Sequence, residues 1–530
     1  MFKEIFLGKE KIFSSKVIIS HVIFILISFM FVYMFSYSTS FRYDFLGGDS
    51  AIFQSVGKFW AQGYLPYVDL FENKGPLLFW INALGYWIYS RSGIMVPQII
   101  FLYLSCLLIW RTMELYSSSA WQKTFFLLVA LIFYLAHYEE GNHVEEYSVL
   151  FLSAATYCFL RSLKENNFPP FYGFIYGFCF GACVLIRTSD AAQICCQVFL
   201  IAIFLLQERA FKNLWQNFLS FCAGFAAIVL PFVIYFAAHD AFYDMVYGTI
   251  LFNIKYTNED VYTPLRHKII YGAFHFLPLF IMIIIATFAL KQNLKNRLLQ
   301  SGIFIGLMMT FMLTNFRTYG HYSMIIFPAM PILFAILQES RNEIQKIWQI
   351  SGLSFKRIFF KSLILIAVVY ICVLTIYVKN LFFAENISLP IPFSTYRKNL
   401  EMLNPNERED ILALKNLIPD NERKSFVTWG LYCNITHWIL RADMKSRERL
   451  FMNNNEMMRI NPAFKKEWFD NVRKDYPLWI LHGVELDRKP DEPPKTLEEN
   501  ELEQLIEEKY SFKGEVYVWP QMLKLYRLKE

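Results

Sequence analysis

Long apolar segments separated by short polar loops dominate this 530-residue sequence. Most of the segments approach the roughly 20 residues that a helix needs to cross a bilayer, although several are shorter. The pattern predicts a mostly α-helical polytopic membrane protein with about eleven transmembrane helices. The predicted spans are Val17–Tyr37, Ile94–Trp110, Phe125–Tyr138, Tyr147–Leu160, Phe171–Ile186, Ala191–Leu206, Leu214–Ala238, Ile269–Leu290, Leu298–Leu313, Tyr322–Leu337 and Leu363–Val378.

Two apolar stretches are interpreted individually. The first span is too long for the core of a signal peptide and lacks a small-residue cleavage site after it, so we predict that it is retained. The stretch Pro76–Ser90 holds about fifteen residues and opens with a proline, which favours the first turn of a helix. We interpret it as a helix that lies at the outer membrane surface, so that Ile94–Trp110 is the second crossing.

The lysines and arginines of the loops predict the orientation, because short basic loops stay on the cytoplasmic side. Lys3, Lys9, Lys11 and Lys16 precede the first span and place the N terminus inside. Alternating the spans from that start puts most of the unusual polar residues outside. The predicted outer segments are residues 38–93, 139–146, 239–267 and 315–320, and everything after Val378.

The composition changes near Leu381, where charges become frequent and prolines mark turns. This predicts a membrane domain of residues 1–380, with the external loop 38–93, and a small extracytoplasmic α/β domain of residues 381–530. We predict strands at 426–429, 478–481, 515–519 and 522–526, the last two as a hairpin, and helices at 407–417, 463–474 and 497–509. We find no catalytic motif in this tail.

The amino-acid composition favours a membrane protein over a soluble one. Apolar residues make up 55% of the chain and aromatic residues 18%, which is more than a soluble fold of this length can bury. The net charge of +6 is explained by the cytoplasmic loops and gives no indication of nucleic-acid binding. All cysteines except Cys433 fall in predicted spans, so no disulfide framework is expected.

The first external loop carries the strongest candidate chemistry. Asp49 follows Gly47-Gly48 and precedes a predicted helix, so it is the helix N-cap, a general base for an attacking hydroxyl or amine, or both. Lys74 precedes Gly75-Pro76, where it either anchors the chain at the lipid head groups or binds a phosphate. Asp69 and Glu72 are candidates for orienting Lys74 or binding a cation.

The second external loop, residues 139–146, places four carboxylates and a histidine between two spans. Like charges this close raise one another's pKa unless a cation neutralises them, which suggests a metal, Arg187 or an amine-bearing ligand nearby. Glu145 and Glu146 are nearest the next span and are the ones that we expect to face a cavity. The alternative is a solvated acidic loop.

Two further polar clusters lie at predicted membrane edges. Arg187 has Asp190 three residues on and either pairs with it or binds substrate. Arg317 and His321 supply directional donors suited to a phosphate, and Tyr322 beside them is typical of an aromatic belt. A histidine satisfied within the fold remains the alternative for His321.

These motifs together resemble the GT-C class of bacterial membrane glycosyltransferases, in the branch with protein O-mannosyltransferases and lipid A aminoarabinose transferases. The matching segments are Gly48-Asp49, Gly63-Tyr64-Leu65-Pro66-Tyr67, Lys74-Gly75-Pro76-Leu77-Leu78, Gly141-Asn142 with Glu145-Glu146, and Gly320-His321-Tyr322. The resemblance implies that Asp49 is the base and that Lys74 contacts the lipid phosphate. Many relatives carry an acidic pair where Gly48 precedes Asp49 and an acidic residue where Asn73 precedes Lys74, so the departures here argue against a metal at that position. No cofactor is otherwise identified, and a divalent metal is left open.

The sequence and the resemblance together predict an integral protein of the bacterial inner membrane. We expect it to transfer a sugar, with inversion, from a polyprenyl-phosphate donor to a cell-envelope glycan, lipid or protein on the non-cytoplasmic face. A lipid-linked sugar flippase would use the same phosphate-binding cations without a base. A glycan polymerase or ligase is the other alternative.

Overall fold

The computed structural model describes residues 15–258, 320–335, 406–430, 433–452, 454–485, 497–518 and 521–530, together with positions 306, 307, 309, 310 and 338. The predicted spans Ile269–Leu290 and Leu363–Val378, most of Leu298–Leu313, and Arg317 lie outside these residues. Everything below refers to the described part of the chain.

Helices account for most of the N-terminal region. In chain order they are α1 (Ser15–Phe35), α2 (Asp49–Ala61), α3 (Pro76–Tyr89), α4 (Met95–Glu114), α5 (Ala120–Ala136), α6 (Val144–Glu165), α7 (Pro170–Ile186), α8 (Ala192–Gln207), α9 (Phe211–Ala238), α10 (Phe242–Val246) and α11 (Phe252–Asn258). Short 3₁₀ turns at Arg91–Ile94 and Thr188–Ala191 lead into α4 and α8, a π turn spans Tyr247–Leu251, and a 3₁₀ segment spans Gly320–Ala329.

Within the described residues, four helical segments are long and apolar enough to cross a membrane. They are Ile18–Phe35, Arg91–Glu114, Thr188–Gln207 and Phe211–Ala238, and shorter apolar helices span Ala120–Ala136, Pro170–Ile186 and Gly320–Ala335. Helix α6 matches a further predicted span and carries Glu145 and Glu146 in its first turn. Helix α3 coincides with the segment that we predicted at the membrane surface.

Close approach of backbones fixes the pair α7 and α9. A Cβ added to Gly177 would lie 1.9 Å from the carbonyl oxygen of Phe221, so only glycine fits at this crossing. Small residues at such interfaces let helices pack without a hydrophobic driving force between them. The α7 helix ends at Ile186 and so delivers Arg187 to the site described below.

The C-terminal residues form a small α/β unit. Strands β1 (Phe426–Trp429), β2 (Trp479–Glu485), β3 (Tyr510–Val518) and β4 (Gln521–Leu528) make a sheet in the order β1-β2-β4-β3, with β1 and β2 parallel and the other pairs antiparallel. The helices are α12 (Glu407–Lys415), α13 (Cys433–Ala442), α14 (Asn454–Ile460), α15 (Pro462–Lys474) and α16 (Leu497–Lys509), with a 3₁₀ turn at Asp420–Ser425. The predicted strands, hairpin and three helices are confirmed, whereas α13 and α14 were not predicted.

Helix α13 packs against α2 and joins this unit to the first loop. Lys58 on α2 bonds to the carbonyl oxygen of Leu440 at 3.0 Å and pairs with Asp443 at 2.7 Å. Arg441 on α13 reaches Asp44 at 3.0 Å. The C-terminal unit therefore contacts the stretch of chain that carries Asp49.

Candidate active site

Asp49 is the first residue of α2, and Gly48 occupies the N-cap position. The interpretation of Asp49 as the N-cap is therefore wrong. A carboxylate in the first turn is still favoured there, because the N-terminal end of a helix carries partial positive charge. The Asp49 side chain is 27% exposed, and its Oδ2 lies 3.9 Å from Nε2 of His321.

Glu140 of the second loop supplies the cap that Asp49 does not. Its Oε1 accepts hydrogen bonds from the backbone N–H of Gly48 at 2.8 Å and of Ser50 at 3.4 Å. Burial raises the pKa of Glu140 to about 8, and the nearby carboxylates of Asp49 and Glu139 act in the same direction. The second loop thus fixes the start of α2 and, with it, the position of Asp49.

Glu139 and two histidines complete this cluster. The backbone N–H of His321 donates to Oε1 of Glu139 at 3.1 Å, and the ring Nδ1 of His321 lies 3.0 Å from Oε2. Burial by itself would raise the pKa of Glu139, but His321 outweighs it and lowers that pKa to about 2. The ring of His143 stacks on that of His321 with 4.3 Å between centroids and 8° between planes.

Arg187 is held by two carboxylates, Glu145 in the first turn of α6 and Asp190 in the 3₁₀ turn that follows Arg187. It forms an ion pair with Glu145, its Nε and one terminal nitrogen bond to Asp190 at 2.8 and 2.6 Å, and its guanidinium lies 4.5 Å from the ring centroid of Tyr322. Glu145 is fully buried and carries the electrostatic influence of His321 and His143 as well. This cluster therefore adjoins the histidines.

Lys74 lies in the first loop just before α3. Its ammonium contacts Oδ1 of Asn73 at 2.9 Å and Oε1 of Glu72 at 3.4 Å, with 21% of the side chain exposed. Burial raises the pKa of Glu72, Lys74 opposes that shift, and the carboxylate of Asp49 adds to it. Glu72 thus contacts Lys74 and is close enough to Asp49 for the charge of Asp49 to affect its pKa.

Asp69 and Glu146 take up positions within the loops. Asp69 accepts from the backbone N–H of Leu65 at 2.7 Å and shapes a turn. Glu146 accepts from Asn142 N–H at 2.6 Å and from Gln98 at 2.9 Å, and is buried. Both side chains thus hold the loops in shape, while Arg317 lies outside the described residues.

The prediction from the sequence identified the second loop but not all of its members near Asp49. We expected Glu145 and Glu146 to face a cavity, and we did not single out Glu139, Glu140 and His143. The loop reverses through positive φ angles at Glu139, Gly141 and Asn142, which turn the preceding carboxylates toward Asp49. Gly141-Asn142 is a turn signal that indicated a reversal, but not which side chains it would aim inward.

This chain is similar to known proteins in part of its sequence and in its fold. Residues 73–236 match the family model of dolichyl-phosphate-mannose-protein mannosyltransferase. The structure of ArnT from Cupriavidus metallidurans bound to undecaprenyl phosphate superposes with a TM-score of 0.58 and 12% identity, covering 97% of this chain and 98% of ArnT. The fold is that of a GT-C membrane glycosyltransferase.

The apo state of the same ArnT gives a TM-score of 0.54 at 13% identity, covering 96% of this chain and 98% of that one. No curated protein sequence matches this chain. The resemblance predicted from the sequence is confirmed, and at these identities the structural likeness concerns the GT-C fold. The roles of individual residues depend on the geometry above.

Proposed function

We propose that this protein transfers a sugar from a polyprenyl-phosphate donor to an acceptor on the non-cytoplasmic face of a bacterial inner membrane, with inversion at the anomeric carbon. The acceptor is a cell-envelope glycan, lipid or protein. In this proposal residues 1–380 form the transferase domain, and residues 381–530 form an extracytoplasmic domain docked on its first loop.

One observation carries the proposal. Asp49 and Lys74 belong to the same loop. The buried carboxyl group of Glu72 contacts the ammonium of Lys74 at 3.4 Å, and the negative charge of Asp49 raises the pKa of Glu72. The proposed base, Asp49, and the proposed phosphate-binding cation, Lys74, both interact electrostatically with Glu72. The family match and the ArnT fold support assigning them to transfer from a lipid-linked phosphate.

The proposed sugar transfer forms one bond and breaks one bond at the anomeric carbon. The acceptor oxygen or nitrogen attacks the anomeric carbon while the bond from that carbon to the phosphate oxygen breaks, and Asp49 takes the acceptor proton. The electron pair of the broken bond stays on the polyprenyl phosphate, which gains one negative charge. Lys74 stabilises that charge, and preorganised cations of this kind typically supply the larger part of the rate enhancement.

We assign the other predicted site residues according to the partners that their charged groups already have. Two carboxylates pair with Arg187, so we assign it to holding Glu145 and Tyr322 in place. His321 lies between Glu139 at 3.0 Å and Asp49 at 3.9 Å, and we assign it to orienting Asp49. Asp69 and Glu146 maintain the loop conformations, which accounts for acidic groups that the chemistry does not use.

The test is transfer by purified full-length protein in lipid nanodiscs with a radiolabelled polyprenyl-phosphate sugar and an envelope extract as acceptor. Asp49→Asn should lower kcat by about 10²- to 10⁴-fold, the usual contribution of a general base, while donor binding persists. Lys74→Gln should weaken both donor binding and kcat, because it removes the charge that faces the phosphate in both states.

The matched control is Asp240→Asn, the same change at an exposed residue whose positive φ angle asparagine tolerates. It should leave transfer unchanged. If the Asp49→Asn variant transfers sugar at the wild-type rate, Asp49 is not the general base. Movement of the intact labelled donor across vesicles, with no sugar transferred, would instead indicate a flippase.

A further inference from the structure

His143 is a buried histidine of the second loop that stacks on His321. Its side chain is 2% exposed, and neither ring nitrogen has a hydrogen-bond partner within the part of the chain that the structure describes. A buried imidazole whose nitrogens make no hydrogen bond is costly unless a ligand completes it.

The adjacent ring is oriented as metal-binding imidazoles usually are. Nδ1 of His321 lies 3.0 Å from Oε2 of Glu139, which leaves Nε2 on the side of Asp49. Histidine ligands in metalloproteins almost always engage a carboxylate or carbonyl through the second nitrogen, because this contact fixes the ring and raises its basicity. Glu139 occupies that position here.

A ring nitrogen of His143, one of His321 and a carboxylate oxygen of Asp49 all lie within 4.8 Å of one another. We propose that His143, His321 and Asp49 bind one divalent transition-metal ion, with Glu139 as the group that orients His321. Because the two rings are stacked with 8° between their planes, the ring of His143 has to turn away from His321 for both to bind one ion. Three such ligands bound at about 2.0–2.2 Å leave at least one coordination position open for water or substrate.

Another combination, Glu139 with Glu140 and His143, also brings three ligand atoms within 4.8 Å. The hydrogen bonds disfavour it, because Glu139 already contacts His321 and Glu140 already caps α2. Moving either carboxylate onto a metal would leave those partners unsatisfied. Asp49 can ligate through Oδ2 and still present its second oxygen to an acceptor.

The donor set also selects the kind of ion. Two imidazoles and one carboxylate suit zinc, cobalt, nickel or manganese far better than magnesium or calcium, which prefer oxygen ligands. We therefore expect one of these transition metals at the site rather than magnesium or calcium.

The test measures metal and needs no donor or acceptor, so its outcome is independent of the proposed transfer reaction. Full-length protein in detergent is stripped with chelator and then titrated with Zn²⁺ or Co²⁺. One ion should bind per chain, and excess Mg²⁺ should not displace it. His143→Gln and His321→Gln should each weaken binding by at least about 100-fold, and Glu139→Gln by about 10- to 100-fold.

His239→Gln is the matched control, because His239 is an exposed histidine on the end of α9. It should retain the full affinity. Equal binding by His143→Gln and wild type, or no bound ion in the wild type, would overturn the proposal. Thermal unfolding of each apo variant shows whether it is folded.

A second measurement needs no variant. X-ray absorption of the zinc-loaded wild type should show two imidazole ligands and additional light ligands, without sulfur. A spectrum with fewer than two imidazoles would contradict the site even if the variants fail to fold. In that case His321 serves only as a partner of Asp49 and Glu139.

Discussion

His437 of helix α13 donates from Nε2 to the main-chain carbonyl oxygen of Gly47 at 2.8 Å, across 390 positions of sequence. Its other ring nitrogen lies 3.2 Å from Oε1 of Glu407. The C-terminal unit therefore holds the backbone two residues before Asp49. Since Glu140 accepts from the N–H groups of Gly48 and Ser50, Asp49 is positioned by contacts from both the C-terminal unit and the second loop.

Replacing His437 should affect turnover more than donor binding. His437→Leu removes the hydrogen bond to Gly47 and leaves a buried carbonyl without its partner, at a cost of about 1–3 kcal/mol. We expect kcat to fall roughly tenfold with little change in the donor KM. Steady-state transfer assays would show this, and His239→Leu should behave as wild type. A change confined to KM would argue against a role through Asp49.

Glu140 should tolerate glutamine but not alanine. Burial raises the pKa of Glu140 to about 8, so the group is largely neutral at pH 7, and glutamine keeps the oxygen that accepts from Gly48. We expect Glu140→Gln to retain transfer and thermal stability. Glu140→Ala should lose about 1–2 kcal/mol, as for a deleted helix cap, and should also lower kcat. Equal loss in both variants would mean that the negative charge itself is required.

Glu407 should make the C-terminal unit acid-sensitive. Burial opposes ionisation, but His437 and Arg441 lower the pKa of Glu407 to about 2. Because the pKa is depressed on folding, the stabilisation is complete above about pH 4.5 and is lost as the pH falls toward 2. It amounts to about 3 kcal/mol, taking 1.36 kcal/mol for each pKa unit.

Thermal unfolding of the full-length protein between pH 5 and pH 3 measures this dependence. Wild type should lose stability more steeply than Glu407→Gln, which is destabilised at pH 5 and has less to lose. The control Glu409→Gln changes an exposed carboxyl on the same helix and should follow the wild-type curve. Parallel curves for Glu407→Gln and wild type would refute the prediction.

Gly75 should not accept a side chain. A Cβ added there would lie 2.0 Å from the carbonyl oxygen of Leu185, and the N–H of Gly75 bonds to Ile186 at 3.0 Å. Gly75→Ala must push the first loop away from the end of α7, which displaces Lys74. We expect a loss of about 1–3 kcal/mol and weaker donor binding, measured by thermal unfolding and by retention of labelled donor. Donor binding at wild-type strength would show that Lys74 does not depend on this contact.

Much of the secondary structure could be predicted because hydrophobic periodicity is local. The spans that became α4 and α9, the helix α16 and the hairpin of β3 and β4 all follow from patterns within about 20 residues. Helices α13 and α14 were missed because they are short, with 10 and 7 residues, and periodicity is weak evidence over so few turns.

The sequence by itself determined the class of fold, the loop that carries Asp49 and Lys74, and the loop that holds the acidic cluster. These are set by composition and by the spacing of charges next to apolar segments. Only the tertiary structure decided that Glu140 rather than Asp49 caps α2, that His143 stacks on His321, and that His437 reaches Gly47. Each of these contacts joins segments at least 90 residues apart, and the direction of a side chain across such a distance depends on packing that no local pattern encodes.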